Sequence, residues 1–365
     1  MESTEDKSKT GGGIESMARI KVIGTGGGGC NAVDRMCRDR IRGIDFIAVN
    51  TDAQSLARSQ APIKFQIGPK LTRGLGVGGN HALGTKAAEE SRSELVQALK
   101  GADMVFITAG MGGGTGTGSA HIIAEIAKDE GALTVGIVTK PFAFEGSRRM
   151  AAAEEGLNNL KKKLDTLIVI PNDRLLGLCG KDVSLENAFR MADDVLFQGI
   201  EGISQLITVP GHINLDFADI KAIMTDAGTA LMAIGRGTGE NRAVDAAKAV
   251  ISSPLLDVSI DGAKKVLFNV TGGKDLTLFE VGEAAKIIRQ AADPDAQIIF
   301  GVVNDQKIEM EVRITLIATG VYSHEARTAP AMKGRKAIQD LIPLMFDDQG
   351  DTQVPPFLRK AYPVA

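Results

Sequence analysis

Short apolar runs alternate with amphipathic stretches along the first half of the chain. The runs are rich in β-prone residues and short enough for buried strands, and they lie at 19–24, 45–50, 103–108, 133–139 and 167–171. Apolar residues recur at helical spacing between some of them, as at 119–128. This alternation predicts a parallel α/β domain, which binds its ligand at the carboxyl ends of the strands.

A longer helical pattern divides the chain. Apolar side chains recur every three or four positions between 182 and 207, at Leu185, Phe189, Ala192, Leu196, Ile200, Ile203 and Ile207. Beyond this pattern we predict strands near 265–270, 297–303 and 309–317, and helices near 217–226, 241–252 and 279–291. We therefore expect a first domain at 19–181, a connecting helix at 182–207 and a second domain at 208–318.

Both ends of the chain lack these patterns. Residues 1–18 are polar and Gly-rich, which predicts a disordered tail, and residues 319–350 are typical of a linker, with a short helix at 331–346 as an alternative. At 351–365, two apolar residues stand beside two basic ones, Arg359 and Lys360. This pattern fits a docking peptide that folds on its partner, and it fits an unstructured terminus equally well.

The stretch 110–118 carries the strongest chemical signal. It contains six glycines and two threonines between a predicted buried strand and a predicted helix. Amide N–H groups and the helix dipole at such a turn bind anions, most often phosphate. No Lys or Arg lies between Met111 and Ala127, which excludes a P-loop. We therefore expect amides, the helix dipole and a Mg²⁺ ion to balance the phosphate charge.

Two further glycine loops occur, at 24–29 and 72–80. The first follows a strand and, with the later Asp52, is consistent with the dinucleotide site of an NAD(P)-dependent oxidoreductase. A solvated turn is an equally good interpretation of Asp52. Three glycine loops exceed what a single dinucleotide site uses, and they suit a nucleotide whose triphosphate is surrounded on several sides.

Composition narrows the function classes. The net charge is −3, which argues against general nucleic-acid binding. No apolar run approaches the length of a membrane span. Three scattered cysteines form no C-x-x-C pair and indicate a reducing cytoplasm, and the four histidines are too dispersed for a zinc motif.

Two pairs of charged residues have simple local interpretations. Glu145 and Arg149 stand four residues apart on a predicted helix, where they can form a surface ion pair. Asp216 and Asp219 have the spacing of a helix N-cap and the third helical position, a variant of the capping box.

Taken together, these motifs resemble the tubulin/FtsZ family of GTPases in its prokaryotic form. Residues 110–118 are similar to the family's GTP signature, and 26–33, 140–146, 214–219 and 356–360 resemble further family motifs in the same order. The resemblance implies a parallel-sheet GTP-binding domain that a long central helix joins to a smaller α+β domain with a mixed sheet. It also implies a cytoplasmic GTPase that polymerises head to tail into filaments and forms the division ring at mid-cell. A tubulin-like plasmid-partitioning filament is an alternative, against which the tail peptide argues.

The resemblance assigns roles to residues of the first domain. The phosphates would contact Gly27, Gly28, Gly29, Gly114, Thr115, Gly116, Thr117 and Gly118. The γ-phosphate and its Mg²⁺ would lie near Gly78, Gly79, Ala109 and Gly110. Glu145 and Arg149 would contact the ribose and phosphate side, and guanine would contact Asn31, Asn172, Phe189 and Asp194. Helical geometry disagrees with the assignment of Asp194, because Asp193 rather than Asp194 lies one turn after Phe189.

The resemblance also assigns the catalytic and partner-binding residues. Asn214, Asp216 and Asp219 of one subunit would act on the GTP of the next subunit, since phosphoryl transfer needs a positioned water and charge stabilisation. The tail residues Pro356, Phe357, Leu358, Arg359 and Lys360 would bind division proteins that tether the filament to the membrane.

Overall fold

A computed structural model describes residues 18–320, with gaps at 40, 42, 178–182, 210, 212, 214, 257, 258, 261, 306, 307 and 309. The predicted tail at 1–17, the linker from 321 onward, the 331–346 helix and the peptide at 351–365 lie outside the described residues, and so does Asn214.

Ten strands in the described part of the chain form one sheet. They are β1 (Ile20–Thr25), β2 (Ile44–Asn50), β3 (Ile63–Gln66), β4 (Met104–Gly110), β5 (Leu133–Lys140), β6 (Thr166–Pro171), β7 (Gly228–Thr238), β8 (Lys265–Gly272), β9 (Gln297–Asn304) and β10 (Glu311–Thr319). Their order across the sheet is β3-β2-β1-β4-β5-β6-β7-β10-β8-β9. The strands from β3 to β7 are parallel, whereas β10 runs antiparallel to β7 and β8. The predicted fold class is confirmed.

Helices cover both faces of the parallel part. They are α1 (Gly26–Asp39), α2 (Ala53–Arg58), α3 (Pro69–Thr72), α4 (His81–Glu90), α5 (Arg92–Leu99), α6 (Thr115–Asp129), α7 (Ser147–Lys161) and α8 (Asn172–Leu176). One apolar core includes Val33 and Met36 of α1, and a second includes Ile123 and Ala127 of α6. Strands covered on both faces are nearly continuous apolar runs, which is why the sequence predicts them well.

The connecting helix is α9 (Leu185–Thr208), close to the predicted 182–207. Its 24 residues span about 36 Å. Two of its glycines allow β7 and β10 to pack closely on the helix. A Cβ at Gly199 would lie 2.7 Å from Met232 Sδ of β7, and one at Gly202 would lie 2.7 Å from Thr315 Cγ2 of β10. Nearer its end, Leu206 packs on Gly301. The strands β7, β10 and β9 therefore cross α9 in succession.

The last three helices are α10 (Phe217–Met224), α11 (Arg242–Ile251) and α12 (Leu278–Ala291), as the sequence predicts within a few residues. The strand β7, in contrast, was not predicted, because three glycines interrupt its apolar pattern. Two of them permit α11 to pack directly on the strand, since a Cβ at Gly235 would lie 2.2 Å from Ala246 O and one at Gly237 would lie 2.0 Å from Arg242 O. These glycines are needed only because α11 packs on β7, so the sequence of β7 alone does not indicate a strand.

Candidate functional site

The three glycine loops converge at the carboxyl ends of β1 and β4. A Cβ at Gly28 would lie 3.3 Å from Gly110 Cα, so the loop after β1 touches the loop after β4. A Cβ at Gly114 would lie 2.4 Å from Val77 Cγ2 and 3.0 Å from Gly79 N, so the third loop closes the opposite side. The structure thus brings together three motifs that are far apart in the sequence.

Some of these glycines face open space and others face protein. A Cβ at Gly27, Gly78 or Gly79 would meet no atom within 4 Å, and Gly79 has a φ of +83°. A Cβ at Gly29 would lie 2.3 Å from Thr108 O, and one at Gly118 would lie 2.1 Å from His81 O. Gly27, Gly78 and Gly79 therefore leave room for a ligand, whereas Gly29 and Gly118 allow close packing of the helices.

The hydroxyl groups of the main loop have partners inside the protein. Thr115 Oγ1 shares a hydrogen bond with Thr51 Oγ1 (2.7 Å), and Thr117 Oγ1 accepts one from the N–H of Gly112 (2.9 Å). Because α6 begins at Thr115, the N–H groups of its first turn have no acceptor within the helix. Thr115, Gly116 and Thr117 can therefore offer amides to an anion, while the hydroxyls of Thr115 and Thr117 hold the loop in shape.

Glu145 and Arg149 form the expected ion pair, with 2.7 Å between Glu145 Oε2 and Arg149 Nη1. The pair is not a solvated one, because the Glu145 side chain is only 9% exposed. The other oxygen of Glu145 accepts the N–H of Phe142 (2.9 Å), which fixes the turn before α7. Arg149 is half exposed and remains available to a ligand.

An aromatic cluster lies beside this pair. The buried Phe142 stacks on Phe144, with ring centroids 5.0 Å apart, and meets Phe189 edge to face at 5.5 Å. Phe189 exposes 39% of its surface, so one side of its ring is open. Phe142 and Phe144 carry no sequence signal beyond their place in the 140–146 motif.

Asn172 is the first residue of α8, directly after β6. It is buried, and its Oδ1 atom is one of the buried polar atoms without a hydrogen-bond partner in the described part of the chain. A buried acceptor without a protein partner can accept a hydrogen bond from a ligand or a water molecule. The exposed face of Phe189 and the free acceptor of Asn172 suit a purine base.

The two neighbouring acids of α9 have different surroundings. Asp194 pairs with Arg35 of α1, with 2.9 Å between Asp194 Oδ1 and Arg35 Nη2. Asp193 has no ion pair or hydrogen bond to other described residues, and burial together with the charge of Asp194 raises its pKa to about 7. Asn31 lies exposed one turn before Arg35 on α1.

Asp52, the acid that could have contacted a dinucleotide ribose, caps a helix. Its carboxylate accepts the N–H groups of Gln54 (2.9 Å) and Ser55 (3.0 Å) at the start of α2. Asp52 is therefore a helix N-cap, which neither the ribose nor the solvated-turn interpretation specifies.

Asp216 and Asp219 lie at the opposite end of the parallel strands from the glycine loops. The hydroxyl of Thr166, the first residue of β6, donates to Met224 O at the end of α10 (2.5 Å), whereas Asn172 follows the last residue of β6. The six residues of β6 span about 20 Å. Leu215 packs near Gly301, as does Leu206 at the end of α9.

The two acids also form part of the predicted capping arrangement. The N–H of Asp216 donates to Asp219 Oδ2 at 3.3 Å, which holds the two residues together at the start of α10. Asp216 is exposed and Asp219 is half-buried.

No cluster of three or more His, Cys, Asp or Glu side chains among the described residues could hold a metal ion. The glycine loops, with their free amides, suit phosphates instead. No helix within the described ranges has the length and apolar character needed to cross a membrane.

Comparisons with known proteins agree with this geometry. Residues 19–180 match the GTPase domain of the tubulin/FtsZ family, and residues 228–322 match the C-terminal domain of the FtsZ family. An empty FtsZ dimer from M. jannaschii is similar at 48% identity and a TM-score of 0.83, with 85% of this chain and 90% of that chain covered. A point mutant of the M. jannaschii protein is similar at 49% identity and a TM-score of 0.81, with 84% and 92% covered.

A more distant relative shares the fold. GDP-bound CetZ1 from Haloferax volcanii is 22% identical, with a TM-score of 0.73 and with 84% of this chain and 95% of that chain covered. These findings do not favour the oxidoreductase or the plasmid-partitioning alternative. Because nearly half of the aligned residues are shared with FtsZ over most of the chain, this protein belongs to the tubulin/FtsZ family of GTP-binding, tubulin-like GTPases of cell division.

Proposed function

We propose that this chain polymerises head to tail and that it hydrolyses GTP only where two subunits meet. The observation that carries the proposal is the separation described above: the glycine loops and the acids Asp216 and Asp219 lie at opposite ends of the parallel strands. One chain cannot bring both to the same phosphate, whereas two chains stacked head to tail can.

In this proposal the glycine loops bind the triphosphate. Amides at Gly27, Gly28 and 114–117 contact its oxygens, and Gly78, Gly79, Ala109 and Gly110 lie beside the γ-phosphate. Mg²⁺ binds mainly to phosphate oxygens and water, since it accepts few protein ligands. Arg149 and Glu145 contact the ribose and phosphate side. Gly29 and Gly118 support the loops by packing, because their Cα atoms face protein.

Guanine stacks on Phe189 and is contacted by Asn172 and Asn31. For the acid, we favour Asp193 over the Asp194 that the family resemblance implies. Burial raises the pKa of both acids, but Asp194 is ion-paired with Arg35, whereas Asp193 has no partner among the described residues. A carboxylate can accept the two N–H donors of the guanine edge together.

The catalytic acids act in trans. Asp216 and Asp219 orient a water molecule toward the γ-phosphate of the neighbouring subunit, with Asn214 beside them. The hydrogen bond between Asp216 N–H and Asp219 keeps the two carboxylates in a fixed arrangement. Capping and catalysis are compatible roles for the same residues.

Exposed apolar residues support self-association. Leu75 is 83% exposed on the loop after α3, at the nucleotide end. Leu278 and Phe279 are 82% and 78% exposed just after β8. They lie on the side of the acid-bearing segment, because Ile213 of that segment pairs with Val302 near the end of β9, which runs parallel to β8. Among the similar structures are the FtsZ dimer and a GTPγS-bound CetZ2 protofilament from Haloferax volcanii, which at 20% identity shares the fold alone.

The remaining proposals follow from the family. The filaments would form the division ring in the cytoplasm at mid-cell. The peptide at 356–360 would bind division proteins that tether the filament to the membrane, since its two apolar residues beside two basic ones suit a folding-on-binding motif.

Asp216→Ala tests the central proposal. The variant should bind GTP with unchanged affinity, because Asp216 is far from the glycine loops, and its turnover should fall by about 100-fold or more, as for loss of a general base. Asp245→Ala is the matched control, since Asp245 is an exposed acid in the first turn of α11. For the wild type, turnover per subunit should rise with protein concentration. Hydrolysis by Asp216→Ala at the wild-type rate would show that the interfacial mechanism is wrong.

A further inference from the structure

The helix that carries the proposed catalytic acids is anchored at its far end. Ile220, Ile223 and Met224 of α10 are fully buried in the core beneath β6. Beyond them, Met224 O accepts the hydroxyl of Thr166 (2.5 Å), and Ala222 O accepts the ammonium group of Lys265 (2.9 Å). The orientation of Asp216 and Asp219 therefore depends on how the end of α10 is held.

A lysine of α6 contributes to holding the residues after α10. Lys128 Nζ donates to Asp226 Oδ1 (3.1 Å) and to Asp165 Oδ1 (3.0 Å). The exposed Asp226 adopts a φ of +47°, in the left-handed region that Asp tolerates better than most residues, and its contact with Lys128 helps to hold this turn. Asp165 also binds the start of β7, because its carbonyl oxygen accepts the N–H of Gly228 (2.9 Å).

Asp165 is a firm attachment point for this lysine. Its side chain is 7% exposed, and its second oxygen accepts both the N–H (2.9 Å) and the hydroxyl (2.8 Å) of Thr134 on β5. Burial opposes its ionisation, but the hydrogen bonds from Thr134 and Lys128 outweigh burial and keep its pKa below the usual value. A buried carboxylate of this kind needs its cationic partner.

Lys128 occupies the last turn of α6, whose first turn is the phosphate loop. The 15 residues of α6 span about 22 Å. One rigid helix thus runs from the nucleotide of a subunit to the anchor of that subunit's own acid-bearing segment.

We propose that Lys128 is a positioning residue for GTP hydrolysis: by binding Asp165 and Asp226 it fixes the turn after α10, and through it the acids that face the neighbouring subunit's GTP. This inference rests on the proposed action of Asp216 and Asp219 in trans. Lys128 does not contact the nucleotide, so it affects the reaction only through the segment that it holds.

The test is the kinetics of Lys128→Met, which keeps the apolar stem and removes the charge. GTP affinity and the critical concentration for GTP-dependent sedimentation should stay within twofold of the wild type. The kcat should fall at least about tenfold, since a displacement of about 1 Å at reacting groups can cost 100-fold. Lys128→Arg should keep most of the wild-type kcat, because it keeps the positive charge. Asp226→Asn should lower kcat as Lys128→Met does. Lys161→Met is the matched control, because Lys161 is an exposed lysine in the last turn of α7.

A double-mutant cycle separates this inference from the proposed function. If Lys128 acts through the acids, adding Lys128→Met to Asp216→Ala should lower kcat no further. If Asp216→Ala is slow but Lys128→Met retains wild-type kcat, or if the two losses multiply, the positioning role is wrong and the interfacial mechanism stands. A normal kcat for Asp216→Ala would overturn both. A lower melting temperature of Lys128→Met is expected, because Asp165 loses its cation. A fall in GTP affinity as large as the fall in kcat would indicate a merely structural role.

Discussion

At the residue scale, Gly27 is a glycine that ligand binding explains and protein packing does not. It lies in the first turn of α1 with no positive φ, and an added Cβ would meet no protein atom within 4 Å. The protein itself therefore gives no reason for glycine at this position. A ligand that approaches the backbone closely gives one.

Gly27→Ala should weaken GTP binding by at least about tenfold, or about 1.4 kcal/mol, without lowering the melting temperature of the nucleotide-free protein. Equilibrium binding of labelled GTP and a thermal melt measure the two quantities. Gly282→Ala in α12 is the control. An added Cβ at Gly282 also meets open space, but this residue belongs to α12 and not to a glycine loop. Unchanged GTP affinity in Gly27→Ala would place the phosphates elsewhere.

Asp193 provides a second prediction, on pH. Its pKa of about 7 means that it is largely neutral below pH 7 and charged above it. Because guanine donates to the charged form, GTP affinity should rise with pH through 7. Asp193→Asn should bind more weakly and lose this part of the pH dependence, as measured by titrations from pH 5.5 to 8.5. Asp194→Asn should keep this pH dependence but shift it to lower pH, because the charge of Asp194 helps to raise the pKa of Asp193. Loss of the pH dependence only in Asp194→Asn would favour the family assignment.

At the scale of elements, a buried arginine joins α11 to α12. The Arg242 side chain is 6% exposed and binds Glu280 through Nε–H (2.7 Å) and the carbonyl oxygen of Asp275 through Nη2–H (3.0 Å). Its pairing lowers the pKa of Glu280 to about 2, against the opposing effect of burial and with help from Thr277. This network fixes the start of α12 where β8 ends.

Arg242→Met should destabilise the folded chain by about 2 kcal/mol, because it leaves the half-buried carboxylate of Glu280 without its charged hydrogen-bond partner. Glu280 stabilises the fold above pH 4.5, its usual pKa, and loses this contribution as the pH falls toward 2. Urea unfolding should therefore show a smaller pH dependence in the variant than in the wild type between pH 4.5 and 2. An equal pH dependence of the free energy of unfolding in the two proteins, or a loss of stability below about 1 kcal/mol in Arg242→Met, would contradict this account of the network.

The elements themselves differ in how far local sequence predicts them. The apolar stripe predicts α9 within three residues of its start, because the stripe is continuous, and the structure adds the cap at Ser184. The strand β7 was missed, since its glycines serve contacts with α11. Asp52 shows the same limit, because the sequence indicates a ribose contact or a solvated turn, whereas the residue caps α2.

At the scale of the whole molecule, the separation of loops and acids makes a complementation experiment possible. Asp216→Ala keeps a GTP site but lacks an acid, whereas Gly27→Ala keeps its acids but binds GTP weakly. Each variant alone should turn over little GTP. A mixture should hydrolyse GTP faster than the sum of the two, because one subunit supplies the nucleotide and the other the acids. Strictly additive rates at concentrations where the variants co-sediment would contradict catalysis between subunits.

The sequence by itself determined the alternation of strands and helices, the three glycine loops and the central helix. These features express local requirements: a buried strand needs an apolar run, a helix needs a periodic stripe, and a phosphate loop needs a backbone without Cβ atoms. The family resemblance depends on the same local motifs, which is why it extends along most of the chain.

Only the tertiary structure decided which of these residues meet. It brought Gly28, Gly110 and Gly114 to one site and set the acids of α10 at the far end of β6. It also paired Asp194 with Arg35 and gave Asp193 no partner among the described residues. It also joined Lys128 to Asp165 and Asp226, which lie 37 and 98 residues away. Contacts of this kind depend on the packing of the whole sheet, so no local pattern of side chains specifies them.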